Sequence, residues 1–405
     1  MWPRRRSKWV LLATGTALTL IFTPQHLVSH ETLTTTVLFD REIVRILNSH
    51  CVMCHVENGP SFPLATYEQT WVQARKIRAE AIARHMPPWS AFPGYGQFAN
   101  DNSLTLRETQ FIVSWVEGSG PRNAGRVFTN VADPNAPRPK QVRAEPDFDH
   151  WHLGEPNSKI QLPANVIEAE QGDTIRQAVV DLGLTSDRLL KGLEFKPGDR
   201  RVVRAVSFRV QETGQWLGNW TPWYGFMGLP EGVAWRIPAG AHIAAEIHYH
   251  GARERTVEQG TLGLHWAGSA RAGTVSGTVL EAKGEVPPGV ASQRFSASAR
   301  LPVSENIVAL WPEVVPGVES IEVSAHKPDG TTEVLLFARN IRLDWPTPYI
   351  FKAPVPLANG TQLSVTAYYA NAGSAPQPGG IRLTVAGYRA PVRPSASHVP
   401  NTGRP

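Results

Sequence analysis

Pro238-Ala-Gly-Ala-His242-Ile-Ala-Ala-Glu246-Ile-His248-Tyr-His250-Gly251 alternates with a period of two. Ile243, Ala245, Ile247 and Tyr249 share one face, and His242, Glu246, His248 and His250 share the other, as successive side chains of a strand do. The first face is core. The second places the imidazoles of His248 and His250 about 6.6 to 6.8 Å apart along the strand, close enough to approach one metal ion. Hydrogen-bonded surface or interface histidines would give the same pattern, so both readings stand. His150 and His152 form a second, weaker HxH pair.

Outward from this strand the same grammar continues. Residues 201–210, 261–266, 320–325, 333–337, 362–369 and 380–385 are short apolar alternations separated by turn signals. Lys196-Pro-Gly-Asp199, Lys327-Pro-Asp-Gly330 and Ala358-Asn-Gly360 are the clearest of these turns. Strands without intervening amphipathic helices build antiparallel sandwiches. The length suits two of them in tandem, over residues 150–278 and 279–395. Both cysteines lie in residues 51–54, so this half folds by burial, with no disulfide framework. Residues 121–149, with Pro134, Pro137, Pro139 and Pro146 and no apolar period, read as a linker.

The amino-terminal part differs in kind. Arg4, Arg5, Arg6 and Lys8 precede the uncharged residues 9–22, the n-region and h-region of an export segment within residues 1–30. No clean cleavage site follows, and the run is short of the roughly 20 apolar residues that cross hydrocarbon. A cleaved signal and a retained membrane anchor are therefore both open, and either places the chain in the periplasm. A formal charge of +5 without a basic stripe gives no reason to invoke nucleic acid.

Asp40 reads as a helix N-cap, and Ile43, Val44, Ile46 and Leu47 form an apolar helical face leading into Cys51-Val-Met-Cys54-His55. This is the C-x-x-C-H motif of covalent haem attachment: two thiols for the two vinyl groups, and an adjacent imidazole for the iron. A redox CxxC would want a thioredoxin-like context, and zinc a second ligand pair at finger spacing; neither is present. For the sixth ligand, Met1 lies in the export segment, Met53 inside the attachment loop and Met227 far off among strands. Met86 remains, in His85-Met-Pro-Pro-Trp89, where two prolines forbid a helix; His85 is the rival. Helices are expected over residues 67–85 and 104–116.

This segment, residues 36–120, resembles a class of small all-α cytochrome c domains. The resemblance rests on Cys51 to His55, Thr66-Tyr-Glu68, Met86 to Trp89, Gly94-Tyr-Gly96 and Trp115-Val116. It implies haem c ligated by His55 and Met86. The later chain resembles the copper type II, ascorbate-dependent monooxygenases, the family of peptidylglycine alpha-hydroxylating and dopamine beta-monooxygenase, especially their cytochrome-fused bacterial relatives. That likeness rests on Leu153-Gly-Glu-Pro156, residues 196–203, Leu229-Pro-Glu-Gly232, Ile237-Pro-Ala-Gly240, Ile247-His-Tyr-His250, Pro328-Asp-Gly330 and residues 357–366.

The second resemblance implies two sandwiches, each with one copper in active members, but most ligand positions differ here. Arg204 and Ala205 stand where a His-His pair is expected, Trp311-Pro-Glu313 lacks the following HxH, and no Met follows Met227. Only His248 is kept, and Arg, always charged and without an acceptor, cannot bind copper. The expected fold is thus mixed: a small all-α cytochrome c domain, then two tandem antiparallel β-sandwiches. The leading function is haem c electron transfer to a redox partner protein, with the sandwiches as docking or ligand-binding module. A structural subunit paired with an active homologue is equally consistent. A monooxygenase rebuilt around His242, His248 and His250 is the alternative, and no catalytic residue is assigned.

Overall fold

The computed structural model describes residues 35–123, 148, 150–268 and 273–389. The expected export segment and most of the linker lie outside these residues. No helix among the described residues is long and apolar enough to cross a membrane. The chain is mostly strand, with a few short helices before it.

A π-helical turn, Phe39–Ile43, runs into α1 (Val44–His50). Asp40 is therefore inside the turn rather than its cap; Leu38 precedes it and donates its N–H to Glu42 Oε2 at 2.9 Å. Next come α2 (Tyr67–Val72), α3 (Ala74–Ala83) and α4 (Leu106–Glu117). The single helix expected over residues 67–85 is split at Gln73, whose N–H closes a tight turn on the Thr70 carbonyl. It ends early because Arg84 adopts the left-handed conformation, φ 57°. Capping boxes, Thr66 with Gln69 and Thr105 with Glu108, start α2 and α4 and satisfy two orphan N–H groups each. Val37, Phe39, Leu47, Ile112 and Trp115 are among the residues that form the core beneath these helices.

The strands begin with β1 (Ser158–Gln161), β2 (Asn165–Ile167), β3 (Thr174–Asp181), β4 (Arg188–Lys196), β5 (Val203–Val210) and β6 (Trp216–Trp220). They continue with β7 (Phe226–Gly228), β8 (Val233–Ile237), β9 (His242–Tyr249), β10 (Thr256–Glu258), β11 (Thr261–Trp266) and β12 (Gly273–Val286). The last are β13 (Val290–Arg300), β14 (Glu305–Val314), β15 (Val318–His326), β16 (Thr332–Arg339), β17 (Tyr349–Leu357), β18 (Gln362–Asn371) and β19 (Gln377–Tyr388). Two four-stranded sheets, β3-β9-β5-β6 and β13-β18-β15-β16, pack against a nine-stranded sheet ordered β1-β11-β4-β8-β12-β19-β14-β17, with β7 on β4. Strands β2 and β10 form a separate pair. Each four-stranded sheet shares its own core with one half of the large sheet.

The halves are joined through backbone. Gly273 and Thr274 of β12 pair parallel with Val233 and Ala234 of β8, and the rest of β12 pairs antiparallel with β19. The expected division at 278/279 falls inside this strand. Trp216 stacks on Trp311 at 6.2 Å, and Arg209 reaches Glu313 at 3.1 Å across the same junction. Of the aromatics crowding residues 216–235, Trp216, Trp220 and Trp235 are core.

Residues 89–100 do not stay with the helices, and the chain returns to them at Asn102, which donates to His50 O at 3.3 Å. The departing residues form an extended strap on the second β unit: Ala91 bridges Ala338, Phe98 bridges Phe351, and Asn100 exchanges hydrogen bonds with Pro348 O and Ile350 N. Trp89, Ala91 and Phe98 are part of that unit's core. Gly96 makes the strap possible, because its φ is +78° and a Cβ there would lie 2.5 Å from the Leu335 carbonyl oxygen. The helical segment is thus sewn into the β body, and the two are not beads on a string.

Candidate functional site

The attachment loop is built by the end of α1. Cys51 N–H bonds to Leu47 O at 2.8 Å, and Cys54 and His55 N–H turn back to Cys51 O at 3.1 and 3.0 Å. That turn puts residues 51, 54 and 55 on one side. Gly59 closes the loop where only hydrogen fits, since a Cβ would meet the Cys54 carbonyl oxygen at 2.2 Å. His55 Nδ1–H donates to Phe62 O at 2.8 Å, which leaves Nε2 as the free donor atom. Burial holds this imidazole below its ordinary pKa, against the hydrogen bond to Phe62 and with help from Lys76, the direction that favours the neutral ring a metal needs.

Cys51, Cys54, His55 and Met86 line a single cleft of about 430 Å³. Its helical wall includes Ile77 and Ala81 of α3 and Ile112 of α4, apolar groups suited to a flat hydrophobic ligand. Met86 follows the left-handed turn at Arg84, and the next residue but two, Trp89, is anchored in the second β core. His85 is half exposed, sits 3.3 Å from Glu80 and is not among the cleft residues. Both cysteines are free, and burial pushes each thiol up to about 12. A redox CxxC pair needs the opposite, a thiol lowered toward neutrality.

The β body supplies the second wall: Asp173, Arg204, His250, Arg342, Asp344 and Trp345. Two of its arginines grip the attachment loop. Arg200 donates to Met53 O at 3.3 Å and to Pro222 O at 3.2 Å, and its guanidinium lies 3.8 Å from the Phe148 ring centroid. Arg204 donates to Pro60 O at 3.0 Å and lies over Trp345 at 5.1 Å. Nothing local in the sequence marks Arg200 for this site, and the sequence presents Arg204 only as a residue that cannot bind copper. Arg204, like Arg209, is a partly exposed arginine in a mostly buried strand, and its place in the cleft emerges only in the fold.

The alternation read for β9 holds: Ile243, Ala245, Ile247 and Tyr249 are buried, and His242, Glu246 and His248 face outward. The histidines do not converge. His242 Nδ1 bonds to Glu212 at 2.8 Å, His248 Nε2 to Glu246 at 3.2 Å and His250 Nδ1 to Asp173 at 2.7 Å. Ala205 lies directly across from His248 in the sheet, and it offers no donor. Glu313 is ion-paired with Arg209 and Arg382. His152 donates to the buried Glu194 at 2.9 Å, with the His150 ring 4.5 Å away and tilted 45° to it. Among the described residues no group of three or more His, Cys, Asp or Glu side chains is placed to hold a metal ion.

No family model and no curated protein matches this chain. Solved structures align with it weakly. The major capsid protein P2 of bacteriophage PM2 is 9% identical, with 56% of this chain and 98% of that one covered and a TM-score of 0.28. An IolB-like protein from Salmonella typhimurium is 10% identical over 57% and 94%, with a TM-score of 0.15. A variant of oxalate decarboxylase from Bacillus subtilis is 9% identical over 59% and 79%, with a TM-score of 0.12. Likeness at this level assigns neither fold nor function.

Proposed function

We propose that this chain is an exported haem c electron-transfer protein, with a cytochrome c-like helical domain seated on two copper-monooxygenase-like β-sandwiches that serve as docking or ligand-binding module. The observation that carries this reading is the convergence of two free thiols, an imidazole with one nitrogen committed, and a thioether on one largely apolar cleft. That donor set fits haem c. When bound, the group supplies a one-electron iron couple.

The chain's own residues then have separate tasks. Cys51 and Cys54 provide the two sulfurs for the thioethers, at a spacing that the turn on Cys51 O maintains. His55 is oriented by Phe62 O and offers Nε2 to the iron. Met86 would offer its sulfur from the same cleft, and Phe62, Ile77 and Leu104, which also line it, would keep water from the group. The sandwiches supply the cleft's second wall through Arg204, His250, Arg342 and Trp345. With the resemblance-implied copper ligands replaced by Arg204, Ala205 and Glu313, the sandwiches act as scaffold. Residues 1–30 deliver the chain to the periplasm, as cleaved signal or as anchor.

Metal analysis of the purified chain tests this division of labour. The expected result is one iron per chain and no copper retained after dialysis against a mild chelator. One tightly held copper, lost when His248 and His250 are both changed to Ala, would favour a haem-coupled copper monooxygenase instead.

A further inference from the structure

The β wall of the cleft carries two guanidiniums and an imidazole, and two of these three groups have bonded carboxylate partners. Arg342 is held by Asp344, at 2.9 Å through Nε and 2.6 Å through the second guanidinium nitrogen. His250 is held by Asp173 at 2.7 Å. Arg204 is different. It is half-buried, its hydrogen bond goes to the Pro60 carbonyl, its flat face lies on Trp345, and among the described residues no carboxylate bonds it. Asp173 and Asp344 act on it only at a distance. Burial pushes its guanidinium below its ordinary pKa, the mark of a cation whose water has been removed without replacement. A desolvated cation is costly unless an anion meets it. Its side chain lines the same cleft as Cys54, near enough for its charge to act on that thiol.

We infer that Arg204 is the counter-cation of a haem carboxylate, so that the first β-sandwich completes the haem site. This rests on the haem reading above. A guanidinium suits the role because its fork matches a carboxylate and stays charged. The position that the monooxygenase resemblance assigns to a copper ligand has, in this chain, been turned toward the other cofactor. Arg200, in the turn that leads into β5, braces the attachment loop through Met53 O and does not line the cleft.

The test is spectroelectrochemical titration of the full haem-loaded chain beside its Arg204→Gln and Arg204→Lys variants. Gln keeps an N–H for the Pro60 carbonyl and drops the charge, whereas Lys keeps the charge. A nearby cation favours the electron-richer ferrous state, so Arg204→Gln should shift the oxidised-to-reduced ratio at fixed potential about tenfold toward oxidised, 59 mV for a one-electron couple. Arg204→Lys should stay within about threefold of the unaltered protein. Agreement of Gln with the unaltered protein within about twofold overturns the inference. An equal loss in Gln and Lys also overturns it, because it would make Arg204 a brace for the loop. A mobile anion in place of the haem carboxylate would make the unaltered protein's potential move with chloride or phosphate concentration, and that dependence would overturn it as well. Should Arg204→Gln fail to fold, carbodiimide coupling of a small amine to the unaltered protein decides. One haem carboxylate should resist until the chain is unfolded, read from the mass of the haem peptide; reaction of both in the folded chain overturns the inference. Absence of haem absorbance in the unaltered protein is a separate result that defeats the haem reading itself.

Discussion

Met86→Ala is expected to leave the haem attached while opening its sixth position to added ligands. The ferrous variant should bind CO and the ferric variant imidazole, while the unaltered protein resists both. The reason is geometric: Met86 lines the cleft that holds Cys51, Cys54 and His55, and the rival His85 is not among its lining residues and is paired with Glu80. Loss of a thioether ligand also removes an influence that raises the potential. The oxidised-to-reduced ratio at fixed potential should rise by more than about tenfold, over 59 mV for one electron. His85→Ala should change neither property. CO binding by the unaltered protein as ready as by the variant would remove Met86 from the ligand set.

The second large effect is on stability. Trp115 is 1% exposed, lies within 6.4 Å of the rings of Phe39, Tyr67 and Trp71, and donates its indole N–H to Pro121 O at 3.1 Å. Trp115→Ala should cost about 3–5 kcal/mol from lost burial and the cavity left behind, against a typical domain stability of about 5–15 kcal/mol. The helical core is small, so that cost is a large share of it. The expected thermal melt shows an early helical transition ahead of the β transition. A variant that melts with the unaltered protein, within about 1 kcal/mol, would mean that the strap and the β body hold the helices without this core.

Much of the β architecture could be read where one face is buried. Strand β9 has strict alternation, β11 was bounded at its observed ends, and the turn signals at residues 327–330 and 358–360 fall between strands while that at 196–199 begins on the last residue of β4. What escaped reading had a physical cause. Strand β12 presents most of its residues to solvent, so its apolar positions give no period. Strand β13 alternates from Arg294 to Arg300 with Phe295, Ala297 and Ala299 inward, but apart from Phe295 that inward face is small alanines, which carry little apolar signal. The strap at residues 89–100 finds its partners at residues 337–352, and pairing at that separation leaves no local trace.

The candidate site divides in the same way. Cys51, Cys54 and His55 carry their chemistry in their spacing, and Met86 was reached by elimination among four methionines. The opposite wall, with Arg204 and Trp345, comes from segments distant in sequence and exists only once the β body folds over the cleft. The HxH at His248 and His250 was legible as a pattern, but its meaning depends on neighbours. In the fold those neighbours are Glu246, Ala205 and Asp173.

The central claim is covalent haem on Cys51 and Cys54, and mass spectrometry of the exported chain tests it most directly. After acid-acetone extraction the intact chain should carry the mass of one haem, confined on proteolysis to the peptide containing Cys51, Cys54 and His55, and neither thiol should be alkylated. A chain exported through a competent haem-attachment system that has no added mass and two alkylatable thiols would contradict it.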